Sequence, residues 1–400
     1  MTQDQQYRNT ALEYWIVATG LSYGAFAREL RTTCANAGRT DLAPDSSRVS
    51  RWLGGESPRP PMPDLIAATL TRLCGVPRPL NPADLGFRSS RRAGRPAIAW
   101  QPDAVLAAVL DTTRSDLMTD HHQEAPSTPL PTGDGLMDTV RPWLDARPGT
   151  LPTPVVPGRV GMSDVERIRA TTEAFRSWNN EHGGGLSRDA VVAQLRATAT
   201  LLRHGRSSGE VGHALFSAVA DLASVAGWMT HDVGRHAESQ QYFLLGLQAA
   251  KEADDQQIAG HLLNCMARQA SHLRRVDDAL ELVEFAHYGT RRLPDGRLRA
   301  VLTALQARCL AIMGDLRGFQ RAAGAVQDSL TAATDDDPPF VEWFDEAEYG
   351  VTIGVCHLIA ARHAPAHAAQ AVTLISQASA TRPEARVRSR AFDQIALARA

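Results

Sequence analysis

A forty-residue rhythm in the second half of the chain limits the fold more than any other feature. The stretches GRHAESQQYFLLGLQAAKEA, LRRVDDALELVEFAHYGT and GDLRGFQRAAGAVQDSLT each open the second helix of a helical hairpin. Their anchors, Gly234, Leu273 and Gly314, stand 39 and 41 residues apart. Gly246 and Ala286 follow their anchors by twelve and thirteen positions, where a small residue allows close helix packing. Such a hairpin cannot bury its apolar face alone, so neighbours must stack into one core and curve around a concave side. HLIAARHAPAHAAQAVTLISQ is a weaker fourth unit, placed after the insertion TDDDPPFVEWFDEAEYG. From Ser163 onward the chain reads as helix after helix with no strand pattern, and Ser163-Asp-Val-Glu166 reads as the capping box that opens the first.

The first ninety residues follow a different pattern of shorter helices. Residues 9–19 form the first, with Leu12, Trp15 and Ile16 inward. Ser22 caps the second, which buries Phe26, Ala27, Leu30 and Cys34 and ends near Gly38. The third is Asp45-Ser-Ser-Arg-Val-Ser-Arg-Trp-Leu-Gly-Gly55, capped by Asp45 and stopped by the glycine pair. Val49, Trp52 and Leu53 lie at i, i+3 and i+4 and share one apolar face. That phase turns Ser46, Ser47, Arg48, Ser50 and Arg51 outward. A fourth helix follows Pro63 and stops at Gly75, and Asn81-Pro82 announces a short fifth. The third helix has the chemistry of a major-groove reader, since arginine bonds bidentately to guanine and serine reaches a base edge or a phosphate.

Charge is divided in the same way. Residues 1–95 carry thirteen arginines against eight acidic residues, a balance of +5, within a chain whose net charge is −2. A basic head on an acidic body fits a nucleic-acid contact at one end. Arg59 and the run Arg88-Ser-Ser-Arg91-Arg92-Ala-Gly-Arg95 extend the basic surface, with Arg91 and Arg92 as an arm along phosphates. The five cysteines form no C-x-x-C pair, no apolar run reaches the length of a membrane span, and MTQDQQYRNT has no signal-peptide core, so the cytoplasm is the expected compartment.

Five short helices with a basic third one resemble the lambda-repressor-like helix-turn-helix domain, although the turn here exceeds the usual three or four residues. More specifically, SSRVSRWLGGESPRP, followed by DLIAATLTRLCG and PADLGF, resembles the N-terminus of actinobacterial regulators of sporulation and secondary metabolism. Those regulators join a repressor-like domain to a tetratricopeptide-like body. The resemblance covers residues 9–87 and most of 163–400. It implies an all-α chain with a DNA-binding domain over 1–87, a linker over 88–162 and a tetratricopeptide-like solenoid over 163–400. Within the linker, residues 100–118 form one helix with Val105, Leu106, Val109 and Leu110 as its stripe. LMDTVRPWLDA docks through Leu136, Val140, Trp143 and Leu144. The Pro- and Gly-rich remainder of 121–160 reads as flexible. RPEARVRSRAFDQIALARA reads as the first helix of another hairpin, so the chain is expected to continue past Ala400.

The function these features imply is a dimeric, sequence-specific transcriptional regulator on double-stranded DNA, since one recognition helix offers too few base contacts by itself. The alternative is a tetratricopeptide-like interaction scaffold without operator-specific binding. No enzyme, cofactor or metal is expected. Thr230-His231-Asp232 lacks further ligands at workable spacing, and Gly183-Gly184-Gly185 lacks the Lys-Ser/Thr of a phosphate loop and reads as a hinge. In a tetratricopeptide superhelix the first helix of each hairpin lines the groove. On 256–272, Ile258, Leu262, Leu263, Met266 and Ala270 form the packed face, leaving His261, Asn264 and Arg268 on the other. Trp228 and Arg308 stand six residues before Gly234 and Gly314. These five residues are the expected lining for an effector, either an extended peptide or a small anionic molecule.

Overall fold

The computed structural model describes residues 9–39, 41–56, 58–59, 61–75, 80, 82–87, 99–118, 130–145, 148–149, 160–384 and 386–400. The basic run 88–95 and most of the Pro/Gly-rich stretch lie outside these residues. The chain is all-α, with no strand among the described residues. It divides into two compact units. A head lies within Met1–Gly94 and is grouped with Pro131–Gly135, and a body comprises Arg95–Leu130 and Leu136–Ala400.

The head contains α1 (Thr10–Ala18), α2 (Tyr23–Asn36), α3 (Ser46–Leu53), α4 (Met62–Cys74) and a 3-10 turn over Pro82–Leu85. The fifth element is therefore a single turn rather than a helix, cut off where Gly86 takes a left-handed φ of +71°. Asn9 ties three elements together. Its Oδ1 accepts from the Leu12 N–H at 2.9 Å, its Nδ2 donates to the Leu85 carbonyl at 2.9 Å, and its N–H donates to the Leu53 carbonyl at 2.8 Å. Phe26, Leu30, Trp52, Ile66, Leu70 and Leu85 fill the space these contacts enclose.

In the body, α5 (Pro102–Met118), α6 (Asp134–Val140) and α7 (Pro142–Asp145) precede α8 (Met162–His182) and α9 (Arg188–His204). Four hairpins follow, pairing α10 (Gly209–Asp232) with α11 (His236–Glu252), α12 (Gln256–His272) with α13 (Val276–Gly289), α14 (Arg297–Met313) with α15 (Leu316–Thr331), and α16 (Glu346–Ala360) with α17 (His367–Thr381). The first helices α10, α12, α14 and α16 touch in series, which makes the body a solenoid. A final helix, α18 (Val387–Arg399), follows the fourth hairpin. It packs on α17 and α8, and Arg388 donates to the Asn179 carbonyl at 2.9 Å and pairs with Asp232 at 2.9 Å.

The repeat is more regular than its glycines suggest. The turns joining the two helices of the first three hairpins place Gly234, Arg274 and Gly314 at φ +81°, +61° and +81°, forty residues apart each time. Each turn repeats the same pair of backbone bonds, such as Arg274 N–H to Ser271 O and Arg275 N–H to Ala270 O. Leu273 is thus one residue short of the true anchor, because an arginine fills the left-handed position that glycine fills in the other two. From the corrected anchor Ala286 lies twelve residues on, as Gly246 does. At Gly246 a Cβ would come within 2.8 Å of Leu262 and 3.1 Å of Ala223, so the small residue sets the helix spacing.

Two other expectations need correction. Helix α8 starts at Met162 with Gly161 as its cap, because the Asp164 carboxylate reaches the Gly161 N–H at 2.9 Å. Gly183-Gly184-Gly185 marks a close approach rather than a hinge, since a Cβ on Gly184 would fall 2.5 Å from the Met229 backbone.

Much of the described part of the expected linker is built into the body. Val105, Leu106 and Val109 of α5 are buried in its core, as are Leu136, Met137, Val140 and Trp143. Asp116 at the end of α5 is 5 % exposed and gathers three partners. It pairs with Arg188 of α9, accepts from Arg235 at 2.8 Å and accepts from the Tyr242 hydroxyl of α11. A second buried pair, Lys251–Glu252 at 2.9 Å, holds two further linker segments. Glu252 accepts from the Gly149 N–H at 2.6 Å, and Lys251 donates to the Trp100 carbonyl at 3.4 Å. α10 is the one described helix long and apolar enough to cross a membrane, and its apolar window is 72 % buried within the body.

Two substitutions test this account. Asp116→Ala takes from Arg188 its buried counter-charge, leaving it Asp189 at 3.2 Å and the Thr230 hydroxyl at 3.0 Å, and should cost about 3 kcal/mol of body stability in urea denaturation. Arg274→Gly removes about 1–2 kcal/mol of left-handed strain and loses about 0.4–1 kcal/mol through a freer unfolded chain, so the body should gain up to about 1.5 kcal/mol.

Candidate functional site

The head presents α3 much as its periodicity requires. Asp45 Oδ1 accepts from the Arg48 N–H at 2.8 Å, Gly54 closes the helix and Gly55 turns away at φ +97°. Val49, Trp52 and Leu53 are buried, while Ser46, Ser47, Arg48, Ser50 and Arg51 are exposed. The connection from α2 runs through nine residues and is held by Arg31, whose Nη1 donates to the buried Pro44 carbonyl at 2.9 Å. Within the exposed set the side chains differ in readiness. Arg48 has no ion pair among the described residues, Arg51 leans toward Glu56 at 3.7 Å, and Ser50 donates its hydroxyl to the Ser46 carbonyl at 3.0 Å. Arg59 is exposed. Arg91 and Arg92 lie outside the described residues.

The five expected groove residues come together in the body, but not on a solvated face. Neighbouring helices enclose α12 on both sides, leaving His261 4 % and Asn264 1 % exposed, while Arg268 and Trp228 are half-buried. The Arg268 guanidinium lies over the Trp228 indole at 5.1 Å and over the Trp343 indole at 4.8 Å. Trp228 Nε1 donates to Cys265 Sγ at 3.1 Å, and Cys265 Sγ meets His261 Nε2 at 3.5 Å. Arg308 of α14 donates from Nε to the Ser271 hydroxyl at 3.4 Å.

Trp343 belongs to the insertion before α16 and was not anticipated. The insertion folds inward as a 3-10 turn (Pro339–Val341) with Phe340, Val341 and Phe344 buried, and Phe340 stacks against His261 at 4.7 Å. Its aromatic residues, in FVEWFDEAEY, were the available signal.

The polar interior is unevenly satisfied. His261 Nδ1 and Asn264 Oδ1 are buried without a hydrogen-bond partner, an arrangement that costs about 1–3 kcal/mol for each such group. Burial, with help from Arg308, lowers the Arg268 pKa. Burial pushes the Cys265 thiol up to about 12, which keeps it protonated and unreactive. His231 sits between His236 and His272, each at 3.2 Å, yet among the described residues no three His, Cys, Asp or Glu side chains are grouped as metal ligands.

These histidines give the body a pH dependence of definite sign. Burial, assisted by neighbouring cations, lowers His231 to about 4 and His272 to about 3, and burial lowers His287 to about 4. The unfolded chain therefore binds more protons between these values and about 6.5, and stability rises with pH across that window. Urea midpoints for the body should fall as pH drops from 7 toward 4.5. A His231→Gln/His272→Gln variant should flatten the fall.

Among known families, the SP15 N-terminal domain matches residues 12–88, which spans the head alone. No curated protein and no solved structure matches the chain.

Proposed function

We propose that this protein is a sequence-specific DNA-binding transcriptional regulator acting in the cytoplasm, with a body that dimerises and receives a signal. The observation that carries this reading is α3, eight residues long, anchored by the buried Trp52 and exposing Arg48, Arg51 and three serines. A rigidly seated short helix with arginines outward suits a major groove, and Arg48 is free to form a bidentate pair with guanine. The basic balance of the head adds a favourable approach to phosphates. Two heads on one dimer would read two half-sites and supply the specificity that a single short helix lacks. The resemblance to repressor-like regulators of sporulation and secondary metabolism supports the same reading.

The test is selection of bound fragments from a genomic library, followed by competition gel shifts. Arg48→Ala and Arg51→Ala should each weaken the selected site by about 1–3 kcal/mol per lost bidentate contact and relax preference at one position. Arg59→Ala should weaken all sequences alike and flatten the salt dependence. Unchanged sequence preference in both the Arg48 and Arg51 variants would remove α3 as the reader, and failure of the full chain to select any fragment would overturn the function.

A further inference from the structure

The arginines that the body buries most deeply each hold a carboxylate. Arg176 pairs with Asp221 and Glu173, Arg188 with Asp116, and Arg382 with Asp393 and Glu348. Arg268, half-buried, is placed differently. Its guanidinium rests against two indoles and holds no carboxylate among the described residues. The acids whose charges reach it, Glu348 and Asp232, are already engaged by Arg382 at 3.0 Å and Arg388 at 2.9 Å. Arg308, whose charge also bears on Arg268, has no ion pair among the described residues either. Arg268 and Arg308, on the consecutive first helices α12 and α14, are thus two half-buried cations without a carboxylate partner among the described residues.

A guanidinium stacked on aromatic rings keeps its edge N–H groups available, and such an edge binds an oxyanion with two parallel hydrogen bonds. One turn along α12 from Arg268, Asn264 leaves its Oδ1 unpaired, and a further three residues back His261 leaves its Nδ1 unpaired. Both side chains are more than nine-tenths buried. Positions i and i+4 share a helix face, so the unpaired amide oxygen and the uncompensated guanidinium line one side.

We infer that Arg268, held between Trp228 and Trp343, forms with Arg308 of the next first helix a site for a small oxyanion, a carboxylate or phosphate, borne on a molecule whose own N–H or O–H donor reaches Asn264. The anion supplies the counter-charge that the fold withholds, and the donor satisfies the orphaned amide. The assignment gives a chemical class to the signal that the proposed regulator would receive. Its test reads the body without DNA, so failure of the DNA-binding reading leaves it standing.

The experiment is thermal unfolding of the full chain in sodium phosphate, in sodium acetate and in sodium chloride at one ionic strength and pH 7.5. Phosphate or acetate should raise the body's melting temperature over chloride by about 2–4 °C, and the better of the two identifies the head group. Arg268→Gln and Arg308→Gln should lose that increment while melting in chloride no more than a few degrees from the parent. Asn264→Asp places a carboxylate beside Arg268, so it should raise the melting temperature in chloride and abolish the response. Phosphate also stabilises proteins non-specifically through exclusion from their surfaces. An increment that persisted in Arg268→Gln, or no increment over chloride for either anion, would overturn the site. If Arg268→Gln did not fold, the Asn264→Asp and Arg308→Gln responses would decide the matter in the same way.

Discussion

Asp116 sits where the body's connectivity converges. One carboxylate from α5 neutralises Arg188 of α9 and bonds Arg235 and Tyr242 around the first hairpin. Coulombic attraction at such low exposure is strong, and loss of Asp116 would leave Arg188 only the half-exposed Asp189 at 3.2 Å as counter-charge. The apolar stripe of α5 alone would allow that helix to slide along its groove, whereas the four-membered polar cluster fixes its register. Tyr242 is held protonated by burial and by the carboxylate beside it, so its hydroxyl remains a donor at any ordinary pH. The solenoid consequently begins on a braced surface rather than on a frayed first repeat.

Much of the architecture was legible because it depends on local periodicity. The α3 face, the Ser22 and Asp45 caps and the forty-residue rhythm follow from spacing within a turn or two of helix. The Asp116 cluster was not legible, since Asp116 and Arg188 are 72 residues apart and an isolated charge on a helix reads as a solvent-facing one. The Leu273 anchor failed for a related reason. Glycine is the usual sign of a left-handed position, and Arg274 occupies one without showing it.

The groove residues illustrate the limit more sharply. Period and phase placed His261, Asn264 and Arg268 on one side of α12, and the structure keeps them there. Helices α10, α11, α13 and α14 close around them, and Phe340 and Trp343, from an insertion some eighty residues later, lie against His261 and Arg268. Helical periodicity gives the direction of a side chain but not what covers it. A face that appears solvated in one helix can therefore become an interior wall once neighbouring helices and an insertion close over it, and its polar groups then become conspicuous for what they lack.

Lys251 is the only lysine in the chain, against forty-one arginines, and it is 4 % exposed beside Glu252. Every cationic side chain on the surface other than histidine is therefore a guanidinium. Amine-directed chemistry, whether acetylation, conjugation to a carrier or a bifunctional cross-linker, finds no lysine on the folded molecule. The single lysine ammonium is enclosed where the segments at Trp100 and Gly149 meet α11. Its reactivity toward such a reagent is then a direct measure of how often that junction opens, read at one site without interference from any other lysine.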